Sequence, residues 1–226
     1  MRAFDDIYAI AAGRRGGAEA LEALIAPHRA KTPAELAAIP DDRWLSQMSA
    51  CVFRAGFSWK VIDTKWPGFE QAFQGFDPRW CAMMSDEAFD ELLKDKRIVR
   101  NAVKVNSVRR NGQFLLDLAA EHGTAGGFFA GWPDSDYVGL LELLAKRADR
   151  MGGGSAMMFL RFMGKPSFIT TSRSVTAALI REGVVDKPPS GRRDFKAVQA
   201  AFNTWAEQSG RDLTAISRTL AMSIDG

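Results

Sequence analysis

Apolar side chains recur at three- and four-residue spacing from one end of this chain to the other, and strand-like alternation is absent. That periodicity gathers the apolar residues onto one stripe of successive helices, so an all-α architecture is expected. The helix starts are written locally. Thr32-Pro33-Ala34-Glu35 has a cap residue, a proline at the first helical position and a glutamate at the third. Asp41-Asp42 opens a second helix through Trp44, Leu45, Met48, Val52 and Phe53, and Ser85-Asp86-Glu87 a third through Phe89, Leu92 and Leu93. A long amphipathic stretch from about Ile98 should stop at His122-Gly123. Further helices are expected over 136–150, 155–163, 172–182, 194–208 and from Leu213 onward, with Gly-rich 123–136 and Pro-rich 186–193 as loops.

A chain of 226 residues, 46% hydrophobic and 25% charged, is long enough and apolar enough to bury an ordinary core. It is read as a single domain of two packed helical lobes over 1–226, with a lobe boundary near 123–136. No apolar run approaches the roughly 20 residues of a membrane-spanning helix. Met1 to Asp6 holds acids where a signal peptide is apolar, so a cytoplasmic monomer without a membrane partner is expected. Two cysteines, Cys51 and Cys81, cannot build a disulfide framework or a four-cysteine zinc site; no metal and no cofactor is expected.

The net charge of +3 hides a strong polarisation. Residues 94–110 carry seven basic side chains against one acid, and residues 146–193 carry ten against three, which leaves the remainder acidic. A polyanion such as nucleic acid would account for two such blocks on one face; solvated helix surface is the alternative.

Between Leu144 and Leu160, one helix runs into Gly152-Gly153-Gly154 and another begins at once, with Ser155 as its cap. Glycines there permit close backbone approach, and the free amides of the second helix favour an anion. This is helix–hairpin–helix grammar, suited to gripping a DNA phosphate, with Arg161 and Lys165 beside it; an ordinary tight αα turn is the alternative. No Gly-Lys-Ser/Thr follows the glycines, so a P-loop is excluded.

The run Ala55-Gly56-Phe57-Ser58-Trp59, followed by Phe69-Glu70-Gln71-Ala72-Phe73 and Phe76-Asp77-Pro78, resembles the 3-methyladenine DNA glycosylase I family of the helix–hairpin–helix superfamily. Arg97-Ile98-Val99-Arg100-Asn101 with Lys104-Val105 is similar to that family's I-I-R-x-x-x-K-I stretch. The order holds from about Asp41 to Ala119 and more loosely to Gly164; residues 13–40 stand as an insertion and the C-terminal segment as an extension. The resemblance implies an enzyme that flips an alkylated purine of the 3-methyladenine type from duplex DNA and hydrolyses its N-glycosidic bond. It places Trp59 on the base-stacking tryptophan and Tyr8 on a pocket tyrosine, so the implied base pocket is Tyr8, Cys51, Arg54 and Trp59. The implied phosphate contacts are Gly152, Gly153, Gly154, Ser155, Arg161 and Lys165. A core aromatic is the alternative for Trp59.

The departures are as specific. Cys51 stands where that family has its pocket glutamate, Arg54 where it has a glutamine, and Ala11 and Ala12 where it has a second tyrosine and a zinc-binding histidine. The wider superfamily's lysine and aspartate fall on Ala156 and Thr171, so a lyase is excluded and no catalytic residue is assigned. Asp63, Asp134 and Asp136 read as caps or surface acids rather than catalysts. Two rivals remain: a DNA-binding protein that kept the fold without the chemistry, and a helical protein-interaction module.

Overall fold

Every regular element among the described residues is helical, as the spacing requires; the computed structural model describes residues 1–224. In chain order α1 spans Phe4–Arg15, α2 Ala18–Ile25, α3 Pro33–Ala37, α4 Asp41–Arg54, α5 Trp59–Ala72, α6 Pro78–Ala82 and α7 Asp86–Lys94. Then follow α8 Ala102–His122, α9 Ala125–Gly131, α10 Tyr137–Arg147, α11 Gly154–Met163, α12 Arg173–Arg181, α13 Arg192–Ser209 and α14 Leu213–Met222. None is long and apolar enough to cross a membrane.

The predicted helix starts at Thr32 and Ser85 form as caps. Thr32 Oγ1 accepts from Glu35 N at 3.2 Å and the Glu35 carboxylate accepts from Thr32 N at 2.7 Å, a closed capping box at α3. Ser85 and Ser172 cap α7 and α12 by accepting from Ala88 N and Val175 N. Boundaries differ where a side chain intervenes. α8 begins at Ala102 rather than near Ile98, because the Asn101 side-chain Oδ1 accepts from Lys104 N and fixes the start there. α11 begins at Gly154, so Ser155 lies inside its first turn and not in front of it.

The expected loop over 123–136 is a correction: it contains α9. Glycines weaken a helix, but two acceptors hold this one at its start, Thr124 Oγ1 for Gly127 N and the Asp41 carboxylate for Ala125 N. Packing supplies the rest. A Cβ on Gly126 would lie 2.9, 2.9 and 3.0 Å from the carbonyl oxygens of Leu36, Ile39 and Ala37, so only glycine lets α9 rest on α3.

The chain forms two compact units, one of residues 1–31, 133–140 and 164–224, the other of 32–132 and 141–163. In the first, α1 packs on α2 and α14, and α12 on α14. Its core carries an aromatic run, Tyr137 against Phe168, Phe168 on Phe202 and Phe202 against Trp205, with ring centroids 4.7, 4.4 and 5.6 Å apart. In the second unit α8 is central and contacts α4, α6, α7 and α9. Trp44, Phe129 and Phe159 form one aromatic cluster, and Trp66, Phe69, Phe73 and Phe76 stack in another, with Phe53 edge-on to Phe69. Glu70 braces that second stack, accepting from both Arg43 guanidinium nitrogens, Ser46 and Trp66.

Candidate nucleic-acid interface

Six tryptophans are present, and burial is the usual fate of such large rings. Trp59 departs from it. It is the first residue of α5 and remains 48% exposed, with Phe57 at 40% and Phe162 of α11 at 41%. Trp59 and Phe162 meet edge to face at 6.0 Å between centroids. The Arg54 guanidinium lies 5.4 Å from the centroid of each ring, within cation–π range. Asp63, one turn into α5, fixes that guanidinium: its Oδ1 accepts from Arg54 Nε at 3.0 Å and Nη2 at 2.7 Å. The second unit thus brings Arg54 and Trp59 of the sequence-derived pocket together, and adds Phe162. The sequence marked Phe162 only as part of an apolar helix, since spacing does not tell a buried face from an exposed rim.

The turn between α4 and α5 that presents Trp59 is held from below by Lys104. Its side chain is buried, and its ammonium donates to the carbonyls of Val52, Phe53 and Ala55, at 2.8, 3.2 and 2.5 Å. Three donors meet carbonyls left open where α4 ends, and a cation there complements the helix dipole. The same nitrogen lies 4.6 Å from the Phe57 ring centroid. Burial, and then the charge of Arg150, hold the Lys104 pKa below the ordinary lysine value.

Beside Lys104 a cavity of about 380 Å³ opens onto the turn between α10 and α11, lined by Ala55, Lys104, Asp149, Arg150, Gly152 and Ser155. The turn is clamped from α8. Asn111, fully buried, donates from Nδ2 to Asp149 O at 3.1 Å and accepts from Asp149 N at 2.7 Å on Oδ1. α10 therefore ends at Arg147 rather than Arg150. Arg150 follows at φ +61°, a left-handed conformation costly for a side chain other than glycine or asparagine. Met151 is buried as the anchor of the turn, while Gly152 and Gly153 lie exposed at its tip, ahead of the first amides of α11. Asn111 carries no sequence signal; a polar residue amid an amphipathic helix reads as solvated until the partner backbone is placed against it.

The remaining predicted site residues lie as follows. Cys51, one turn before Arg54 on α4, is buried, and burial pushes its thiol up to about 11. Tyr8 belongs to the first unit, where its hydroxyl donates to Glu22 at 2.7 Å and Arg211 covers its ring at 4.9 Å. Hydrogen bonding to Glu22 and burial raise the Tyr8 pKa. Arg161 is half-buried on α11. Lys165 is 3% exposed, and its ammonium pairs with Asp134 at 2.7 Å, so it is enclosed rather than presented on a basic surface. The carboxylates of Asp63 and Asp136 are likewise engaged, the latter accepting from Gly139 N.

The basic block at 94–110 is also less bare than its count suggests. Lys94, Arg97, Arg109 and Arg110 pair with Glu91, Asp95, Asp86 and Asp149, and Lys104 is buried. Partners close in space, some far in sequence, offset most of that charge.

The family model for methyladenine glycosylase matches residues 38–138, a span that runs from α4 through α9 and includes Trp59 and Lys104. Two solved structures are similar to the chain: 3-methyladenine DNA glycosylase I from Staphylococcus aureus and a point variant of that enzyme, each at 22% identity with a TM-score of 0.50. Each covers 56% of this chain, and this chain covers 77% and 78% of theirs. At that identity the likeness carries the fold. Residues 38–138 therefore match the methyladenine glycosylase family model, and over the 56% of the chain that is covered the helical fold is similar to that of 3-methyladenine DNA glycosylase I.

Proposed function

We propose that this chain is a DNA-repair glycosylase-like protein, which binds duplex DNA and hydrolyses the N-glycosidic bond of an alkylated purine. The observation that carries the reading is the half-exposed Trp59, held at the head of α5 with Phe57 and Phe162 beside it. Apolar rings gathered in the open suit a base removed from its stack, and the family match runs through the same segment. Gly152, Gly153, Gly154 and Ser155, clamped through Asn111 and opening α11, suit a phosphate contact through backbone amides, with Arg161 on the same helix.

A second reading, a DNA-binding protein without the chemistry, is favoured by Cys51. A thiol held at about 11 stays protonated near neutrality and accepts no proton in a glutamate's place. Chromatography of bases released from alkylated duplex DNA separates the two. Excision gives free alkylated purine that disappears with Trp59→Ala, whereas salt-dependent duplex binding without release establishes the binder. No duplex affinity at any salt concentration overturns both.

A further inference from the structure

The aromatic platform already holds a cation. Arg54 lies 5.4 Å from the ring centroids of both Trp59 and Phe162. The negative ring faces that would attract a positively charged base therefore already act on a guanidinium. The nearby carboxylate is engaged as well, since Asp63 Oδ1 accepts from two Arg54 nitrogens. A cationic base stacked on Trp59 would meet the guanidinium as the nearer charge of the Arg54–Asp63 pair, a repulsion that Asp63 offsets only in part. A neutral base meets no such repulsion. It can stack on the exposed indole and accept a hydrogen bond from Nη1, the fork arm that Asp63 does not engage.

We propose that Arg54 is the specificity-determining residue of this site, and that it selects neutral base adducts over cationic ones. Resting on the glycosylase-like reading above, the inference narrows its substrate class to alkylated purines that carry no charge, such as ring-closed etheno adducts. Purines alkylated at a ring nitrogen so as to become positive, such as 7-methylguanine, are rejected. A like-charge contact at about 5 Å in a half-exposed setting amounts to roughly a tenfold step in affinity.

The test measures anisotropy of the full chain with three otherwise identical duplexes. One carries a single 1,N6-ethenoadenine, one a single 7-methylguanine, and one is undamaged. The expected order places the etheno duplex about tenfold tighter than the 7-methylguanine duplex. Arg54→Gln removes that difference when the affinity for each adduct duplex is expressed relative to the same variant's affinity for the undamaged duplex. Arg54→Lys keeps the charge, and with it the discrimination against 7-methylguanine. Thermal unfolding of each variant separates a specificity change from a folding defect. Equal affinity for the two adducts, or tighter binding of 7-methylguanine, overturns the inference while duplex binding itself preserves the broader reading. A preference that survives in a folded Arg54→Gln also overturns it. Failure of all three duplexes to bind removes the glycosylase-like reading and the inference together.

Discussion

Lys104→Met removes the ammonium from under the turn that presents Trp59 and keeps a side chain of similar length. Val52 and Phe53 are buried, at 1% and 0% exposure, so the carbonyl oxygens that Lys104 reaches there lose their donor with little access to water. Each such unsatisfied group costs about 1–3 kcal/mol, while the Ala55 carbonyl, on an exposed residue, rehydrates. Relief of the cost of burying a charge, which shows in the lowered Lys104 pKa, offsets part of that loss. The net expectation is a loss of about 3 kcal/mol, or roughly 6–12 °C in Tm for a chain of this size. Urea and thermal unfolding followed by far-ultraviolet circular dichroism measure it. The sign of the pH dependence is a second check. A folded pKa below the unfolded one means that the unfolded chain binds more protons between the two values. Wild type therefore gains stability relative to Lys104→Met as pH rises toward the ordinary lysine value. A folded variant within about 0.5 kcal/mol of wild type refutes the bracing role of Lys104.

Gly126→Ala forces a methyl group against three carbonyl oxygens of the α3 segment, and chemical denaturation should show a loss of about 2–3 kcal/mol. Asn111→Ala leaves the Asp149 amide and carbonyl without partners, for about 2 kcal/mol, and should weaken duplex binding with a shallower salt dependence. Lost stability with unchanged binding in a titration at several salt concentrations would remove the clamped turn from the DNA contact. Burial raises Cys51 to about 11 and Cys81 to about 12 from 9.0, so both thiols favour folding below pH 9 and lose that contribution as pH rises through the folded values. Stability should fall by roughly 1.4 kcal/mol per thiol per pH unit within that window, and a Cys51→Ala/Cys81→Ala variant should show a flatter alkaline limb. At pH 8 a thiol reagent should label neither cysteine until the chain unfolds.

The helices were legible in the sequence because their causes are local. Apolar spacing, the Thr32 to Glu35 box and the serines at 85 and 172 act within a few residues of where they stand. α9 was not, because its glycines read as a loop until α3 lies against Gly126. Trp59 and the glycine turn could be found as motifs, whereas Asn111 and Phe162 could not. Their roles depend on which backbone or ring arrives from a distant part of the chain.

Charge shows the same division most plainly. The sequence by itself determined an all-helical chain with two basic blocks and no four-cysteine metal site, since composition and periodicity are properties of the chain alone. Tertiary structure decided what each charge does. It buried Lys104 on the end of α4, enclosed Lys165 on Asp134, paired Arg97 with Asp95 and set Arg54 between two exposed rings. Electrostatic energy depends on distance and on access to water, and only the packed molecule has either.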